Sequence, residues 1–228
     1  MTFNSFGFLF VFFPVFFILY RKLPVRWCPL ALCAGGLVFY AVGTWRAPLQ
    51  ILLLLGMTAF TVLGCRALQG KAGKNKWLFA LWTALTAAPL VIVKLSALVG
   101  GKALPLPLAL SFYTFQMIAF LAESRRGGDA SSAEIAAGVL MFPKLLSGPL
   151  ATPEELREAV SGPKRNSARL DAGLESFILG LACKVVIADH LDGILGQIRV
   201  RGADSVSVAL AWLGVAGYAL RLYFDFWG

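Results

Sequence analysis

The chain has 228 residues, of which 58% are hydrophobic and 14% charged, and a formal net charge of +9. A soluble domain carries about 25% charged residues, so this composition excludes an ordinary soluble fold and points to an integral membrane protein. The basic residues sit in short clusters between apolar runs and form no basic face with stacking aromatics, which argues against nucleic acid as a partner and for the lipid bilayer.

The first twenty residues, MTFNSFGFLFVFFPVFFILY, have no basic leader region and no small-residue cleavage site, so they read as a retained span. A helix needs about 20 apolar residues to cross the hydrocarbon core. Spans are expected near Phe3–Tyr20, Trp27–Thr44, Pro48–Leu68, Trp77–Val99 and Leu104–Ala122, and a sixth near Ser205–Trp227. The linkers alternate in charge. Arg21, Lys22, Arg26, Arg66, Lys71, Lys74, Lys76, Arg125 and Arg126 fall on one side; Arg46 and Lys102 fall on the other. The positive-inside rule then predicts an extracytoplasmic N-terminus in a multi-pass membrane protein.

Residues Ala133–Leu150, AEIAAGVLMFPKLLSGPL, are apolar but interrupted by Pro143, Lys144, Gly148 and Pro149. Proline removes a backbone donor and breaks a helix. Broken backbone at membrane depth survives only where protein or a water-filled cavity satisfies it. The stretch is therefore either a re-entrant element lining a cavity or an interfacial helix ending in a Gly-Pro turn. Thr152, Pro153 and Glu155 follow as a capping box opening a short surface helix.

A longer helix is expected from Asp171, with Leu174, Phe177, Leu181, Val185, Ala188, Leu191 and Leu195 recurring every three or four residues as its buried face. Glu175, Lys184, Asp189 and Asp192 are too many charges for a lipid-exposed span, so this helix lies among other helices or partly at the interface. In the last span Arg221 and Asp225 stand four residues apart, where they share a face and can pair. Ionisable groups inside a membrane segment are functional candidates, and Tyr218 and Tyr223 add hydroxyls nearby.

His190 is the one histidine. Asp189 beside it points about 100° away on a helix, and Ser176, fourteen residues earlier, lies about 21 Å along the axis. No local triad can be built, so His190 reads as a polar helix residue and not as a catalytic base. Lys94 reads as snorkelling to the interface. Cys28, Cys33, Cys65 and Cys183 form no CxxC pair and sit in apolar or helical runs, so neither disulfides nor a metal site is expected. The residues alone leave a transporter, a membrane enzyme and a non-catalytic membrane partner open.

Four stretches, in order, resemble the membrane-bound O-acyltransferases in their alginate O-acetyltransferase branch. They are LPLALSFYTFQMIAFLAESRRG, MFPKLLSGPLATPEEL, GLACKVVIADHLDGI and GYALRLYFDFWG, spread over residues 104–228, while residues 1–100 match only as a set of spans. The resemblance implies an all-α polytopic transmembrane fold in one membrane domain over residues 1–228, with the broken stretch as part of a cavity wall. It implies transfer of an acetyl or related acyl group from acetyl-CoA or an acyl-carrier thioester to a polysaccharide or cell-wall hydroxyl. No bound cofactor is expected. A bacterial inner membrane and an extracytoplasmic acetyltransferase or polysaccharide machinery as partner are implied as well. Lys144, Pro149, Lys184, Arg221, Tyr223 and Asp225 are the candidate cavity-lining residues. In the family the signature histidine lies on a later helix, beyond the YFDF segment, and His190 stands where the motif usually has asparagine. Arg221 replaces a usual glutamine and Trp227 a serine. The resemblance is thus to the N-terminal half, and the chain is expected to be incomplete and inactive alone.

Overall fold

The computed structural model describes residues 5–45, 47–70, 75–99, 107–145, 167–200 and 207–227. Helix α1 (Phe13–Lys22) continues a π-helical turn at Phe8–Phe12, with Pro14 inside the unbroken run; α2 (Cys28–Gly43) continues a tight turn at Val25–Trp27 and carries Pro29. Helix α3 (Pro48–Leu68) begins on Pro48, whose missing N–H falls among donors that a first turn leaves unpaired anyway. Then follow α4 (Lys76–Val99), α5 (Leu110–Arg126), α6 (Ser132–Leu140) and α7 (Phe142–Leu145). After the undescribed residues come α8 (Ser167–Ala182), a π-helical segment at Cys183–Ala188, α9 (Asp189–Val200) and α10 (Val208–Trp227). There is no strand among the described residues, so the chain is all-α.

Among the described residues, three helices are long and apolar enough to cross a membrane: Val25–Gly43, Pro48–Leu68 and Lys76–Ser96, at the second to fourth expected spans. The helices at the first, fifth and sixth are α1 with its π turn, α5 with 17 residues, and α10, which carries Arg221 and Asp225. Large apolar side chains face outward along them, among them Leu49, Leu52, Ile92, Trp212 and Phe226. A surface of that kind is stable against lipid and not against water. Inside the helices, the hydroxyls of Thr58, Thr61, Thr86 and Thr114 each donate to the carbonyl four residues back, at 2.6–2.9 Å. That bond satisfies a buried hydroxyl without needing a neighbouring helix.

The chain divides into two compact units, Met1–Lys164 and Arg165–Gly228. In the first, α6 is the central wedge and packs on α2, α3 and α5, while α5 also packs on α4. Its core includes Tyr40, Leu54, Leu68, Leu110, Tyr113, Met117, Leu121 and Ile135, all at most 1% exposed. Close approach depends on small residues. A Cβ built on Gly36 of α2 would fall inside the Leu140 carbonyl at the end of α6. At the far end, α5 stops at Gly127, which takes φ 104° as glycine does readily, and Gly128 N–H donates to the Glu123 carbonyl at 3.0 Å. Arg66 of α3 and Gln69 just past its end tie this turn to the start of α6 through Gly128, Ala130 and Ser132.

In the second unit α8, the π segment and α9 run as one helix, against which α10 packs. The helix already includes Ser167 and does not wait for Asp171. Its buried face differs from the seven-residue expectation. Ala188 and Leu195 are buried, but Leu174 and Val185 are exposed and Cys183 takes the inward position. A π turn changes the 3.6-residue register on which that expectation rests, so the stripe drawn through Val185 slips off the core.

Candidate functional site

The charged residues of the second unit converge where α10 crosses the π segment. Lys184 Nζ lies 2.9 Å from Asp189 Oδ1 and 2.5 Å from Asp225 Oδ1, and Arg221 Nε lies 2.9 Å from Asp192 Oδ1. Residue 184 pairs with 225 and residue 192 with 221, so the two helices run antiparallel. The pairing expected along α10, Arg221 with Asp225, is not made; each charge reaches across to the neighbouring helix instead. Helix–helix packing brings opposite charges on the facing element closer than the next turn of the same helix. The π turn matters here. Lys184 meets Asp189 five residues on, the spacing of i→i+5 geometry, and so sits between two carboxylates. Their side chains are a quarter to a half exposed, so the cluster is only partly withdrawn from its surroundings. With two cations and three carboxylates it is nearly neutral, which suits a low-dielectric setting where an unpaired charge is costly. Asp189 and Asp192 complete the cluster. The sequence shows them as charges on the helix, but nothing in a 3.6-residue period marks them as partners of α10. Tyr223 is exposed on α10 and stacks on Trp227 at 6.4 Å.

In the first unit the broken stretch takes a definite form. Ser131 caps α6 by accepting from the Glu134 N–H at 3.2 Å, and Glu134 Oε2 accepts from the Ser131 N–H at 2.6 Å. Nine residues later the helix ends at Met141, with ψ 108°, and Pro143 lies in the first turn of α7. A nine-residue helix spans about 14 Å, far short of the hydrocarbon core, and its inner residues Ile135, Ala137, Val139 and Leu140 are buried. The break is clamped by rings. Phe142, 3% exposed, meets Phe12 at 5.2 Å, Phe16 at 5.1 Å, Phe39 at 5.7 Å and Phe8 at 6.0 Å between centroids. Three of the four are edge-to-face, the arrangement that ring quadrupoles favour. Lys144 follows, half-buried on α7. Pro149, Gly148 and the Thr152–Glu155 capping box lie outside the described residues.

The remaining candidates are committed to their own helices. His190 is exposed, and its Nδ1 lies 3.2 Å from the Val185 carbonyl. The Ser176 hydroxyl donates to the Ala172 carbonyl at 2.9 Å. Lys94 is exposed near the end of α4, and the four cysteines are free thiols. A groove of about 390 Å³ lies between α3 and α4, lined by Gly56, Phe60, Leu85, Thr86 and Pro89 among others. It is apolar and holds no group for acyl chemistry.

No family model matches the chain. It is similar to the probable alginate O-acetylase of Pseudomonas aeruginosa, 29% identical over 252 residues, covering 100% of this chain and 47% of the relative. It is 27% identical to the peptidoglycan O-acetyltransferase of Helicobacter pylori, over 100% of this chain and 52% of that one. With the teichoic acid D-alanyltransferase of Streptococcus thermophilus it shares 28% identity over 68% of this chain and 39% of that protein. The chain spans about half the length of the curated relatives it matches. Its resemblance to the membrane-bound O-acyltransferases of the alginate O-acetylase branch therefore extends over its whole length and covers about half of theirs.

Proposed function

We propose that this chain forms part of a membrane-bound O-acyltransferase that passes an acetyl or related acyl group from a thioester donor to a hydroxyl of a polysaccharide or cell-wall polymer. In that reaction the acceptor oxygen attacks the thioester carbonyl, a C–O bond replaces the C–S bond, and the hydroxyl proton leaves with the thiol. The observation that carries the reading is similarity over the entire chain to an alginate O-acetylase and a peptidoglycan O-acetyltransferase. Within this chain the residues supply walls, not the proton acceptor. His190 is exposed and held by backbone, and Ser176 is tied to its own helix. The Lys184–Asp225 and Arg221–Asp192 pairs lock α10 against the π segment, and the aromatic clamp fixes the α6–α7 break beside Lys144. The permeation alternative needs charges available to a passing ion, whereas these are paired with one another. The linker charges favour an extracytoplasmic N-terminus, and the resemblance to the O-acyltransferases favours a bacterial inner membrane with a polysaccharide-handling partner on the outer side.

The test uses the purified chain in vesicles with radiolabelled acetyl-CoA and alginate or peptidoglycan fragments. The chain alone is expected to transfer no label. Co-reconstitution with the half of the Pseudomonas relative that it does not span is expected to restore transfer. Absence of transfer from a folded, co-purifying pair would overturn the reading.

A further inference from the structure

One buried polar group of the first unit has no partner. Tyr113, in the SFYTFQ stretch of α5, is 1% exposed, and its hydroxyl makes no hydrogen bond. A buried hydroxyl left unpaired is costly, and native interiors rarely tolerate one without a water or ligand to meet it. Tyr40, 0% exposed, lies within electrostatic range of Tyr113 and donates its hydroxyl proton to the Leu108 carbonyl at 3.1 Å. That leaves the Tyr40 oxygen free to accept. The Leu108 N–H in turn donates to Gln50 Oε1 at 3.2 Å. Ala109, next in the chain, holds φ 60°, a left-handed conformation that a non-glycine residue adopts at a cost. The ends of α2, α3 and α5 thus bring two phenol hydroxyls, an amide side chain and a carbonyl to one place, with no charged group among them.

We propose that the Tyr113 hydroxyl donates to a neutral oxygen ligand at the Ala109 end of α5, and that the Tyr40 oxygen accepts from that ligand where it carries a proton. Two sources share this chemistry: an ordered water, and the carbonyl oxygen of an acyl group. A water needs two to four polar partners, and the Tyr113 and Tyr40 hydroxyls with the second lone pair of the Leu108 carbonyl supply three. A carbonyl oxygen needs only the Tyr113 proton; that second source rests on the acyl-transfer reading, whereas the site itself does not.

The test is thermal unfolding of the detergent-solubilised chain without substrate. Tyr113→Phe deletes a single oxygen. If the hydroxyl holds an oxygen ligand, Tyr113→Phe unfolds at a lower temperature than the parent, and Tyr40→Phe with Tyr113→Phe costs less than the two separate losses combined. If Tyr113→Phe unfolds at a higher temperature, the hydroxyl is merely unsatisfied and the proposal is overturned. A variant that does not fold is bypassed by NMR of the unaltered chain with labelled tyrosine rings. Cross-relaxation between the Tyr113 hydroxyl and water, or its loss on adding an acyl thioester, supports the site; a Tyr113 hydroxyl with no oxygen neighbour refutes it. Acetyl-CoA then separates the sources: a rise in unfolding temperature lost in Tyr113→Phe assigns the carbonyl, and an equal rise in both proteins assigns water alone.

Discussion

Replacing Gly36 by alanine tests the contact on which the first unit is built. A Cβ at Gly36 comes within 2.8 Å of the Leu140 carbonyl carbon and closer still to its oxygen. Carbon atoms pack comfortably only from about 3.5 Å, so α2 and the end of α6 must part by at least roughly 0.7 Å. α6 has little room to retreat. A Cβ on Gly138, on the same short helix, would already press the Phe120 ring, and Ile135 and Ala137 are 0% exposed. Overpacking of this kind costs about 1–3 kcal/mol, and the obstacle is backbone, which cannot turn aside like a side chain. Better helix propensity returns about 1 kcal/mol. The net expectation is a loss of about 0–2 kcal/mol, read as a fall of up to a few degrees in the unfolding temperature of the detergent-solubilised protein. Gly56→Ala on α3 is the matched control, because nothing lies within 4 Å of its Cβ. It should gain about 1 kcal/mol from propensity alone. If Gly36→Ala proves as stable as Gly56→Ala, the close α2–α6 approach is wrong.

Other substitutions probe the two candidate regions. Phe142→Ala empties the centre of the ring cluster and should cost about 3–4 kcal/mol, with faster proteolysis near Met141 as a second readout. Lys184→Met strands Asp189 and Asp225 without their cation and should cost about 1–2 kcal/mol, discounted because the side chain is 33% exposed. Combining Lys184→Met with Asp225→Asn should recover part of that loss, and simple additivity would contradict the pairing. Ser131→Ala removes the cap of α6 and should cost about 1 kcal/mol by thermal unfolding. His190→Ala should change stability by less than about 0.5 kcal/mol and leave transfer in the reconstituted pair intact; abolished transfer would restore His190 as a base.

The second to fourth spans were legible because hydropathy acts on long windows that no local detail erases. Arg66, Arg125 and Arg126 end α3 and α5. The break near Pro143 was legible from chemistry, though its form was not: Pro143 lies in the first turn of α7 and Met141 carries the turn. The capping box at Ser131–Glu134 has a readable S-x-x-E pattern, the same one that marks Thr152–Glu155 in the sequence. The π segment at Cys183–Ala188 has no signature in residue type, and it displaced Val185 from the buried face. For the same reason the Lys184–Asp189 contact was invisible to a 3.6-residue period. Arg221 with Asp192 is a tertiary contact between helices, which a single sequence does not encode locally. Tyr113 stood in a recognised motif, but only its burial without a partner distinguishes it from a core aromatic.

The most direct measurement is acetylation in cells. Residues 1–228 replace the matching half of the Pseudomonas aeruginosa alginate O-acetylase, and acetyl esters on the secreted polymer are quantified. The account predicts that the chimera acetylates alginate and that Lys184→Met sharply reduces the ester content at equal membrane abundance. A chimera present in the membrane at normal levels that leaves the polymer without acetyl esters would contradict it.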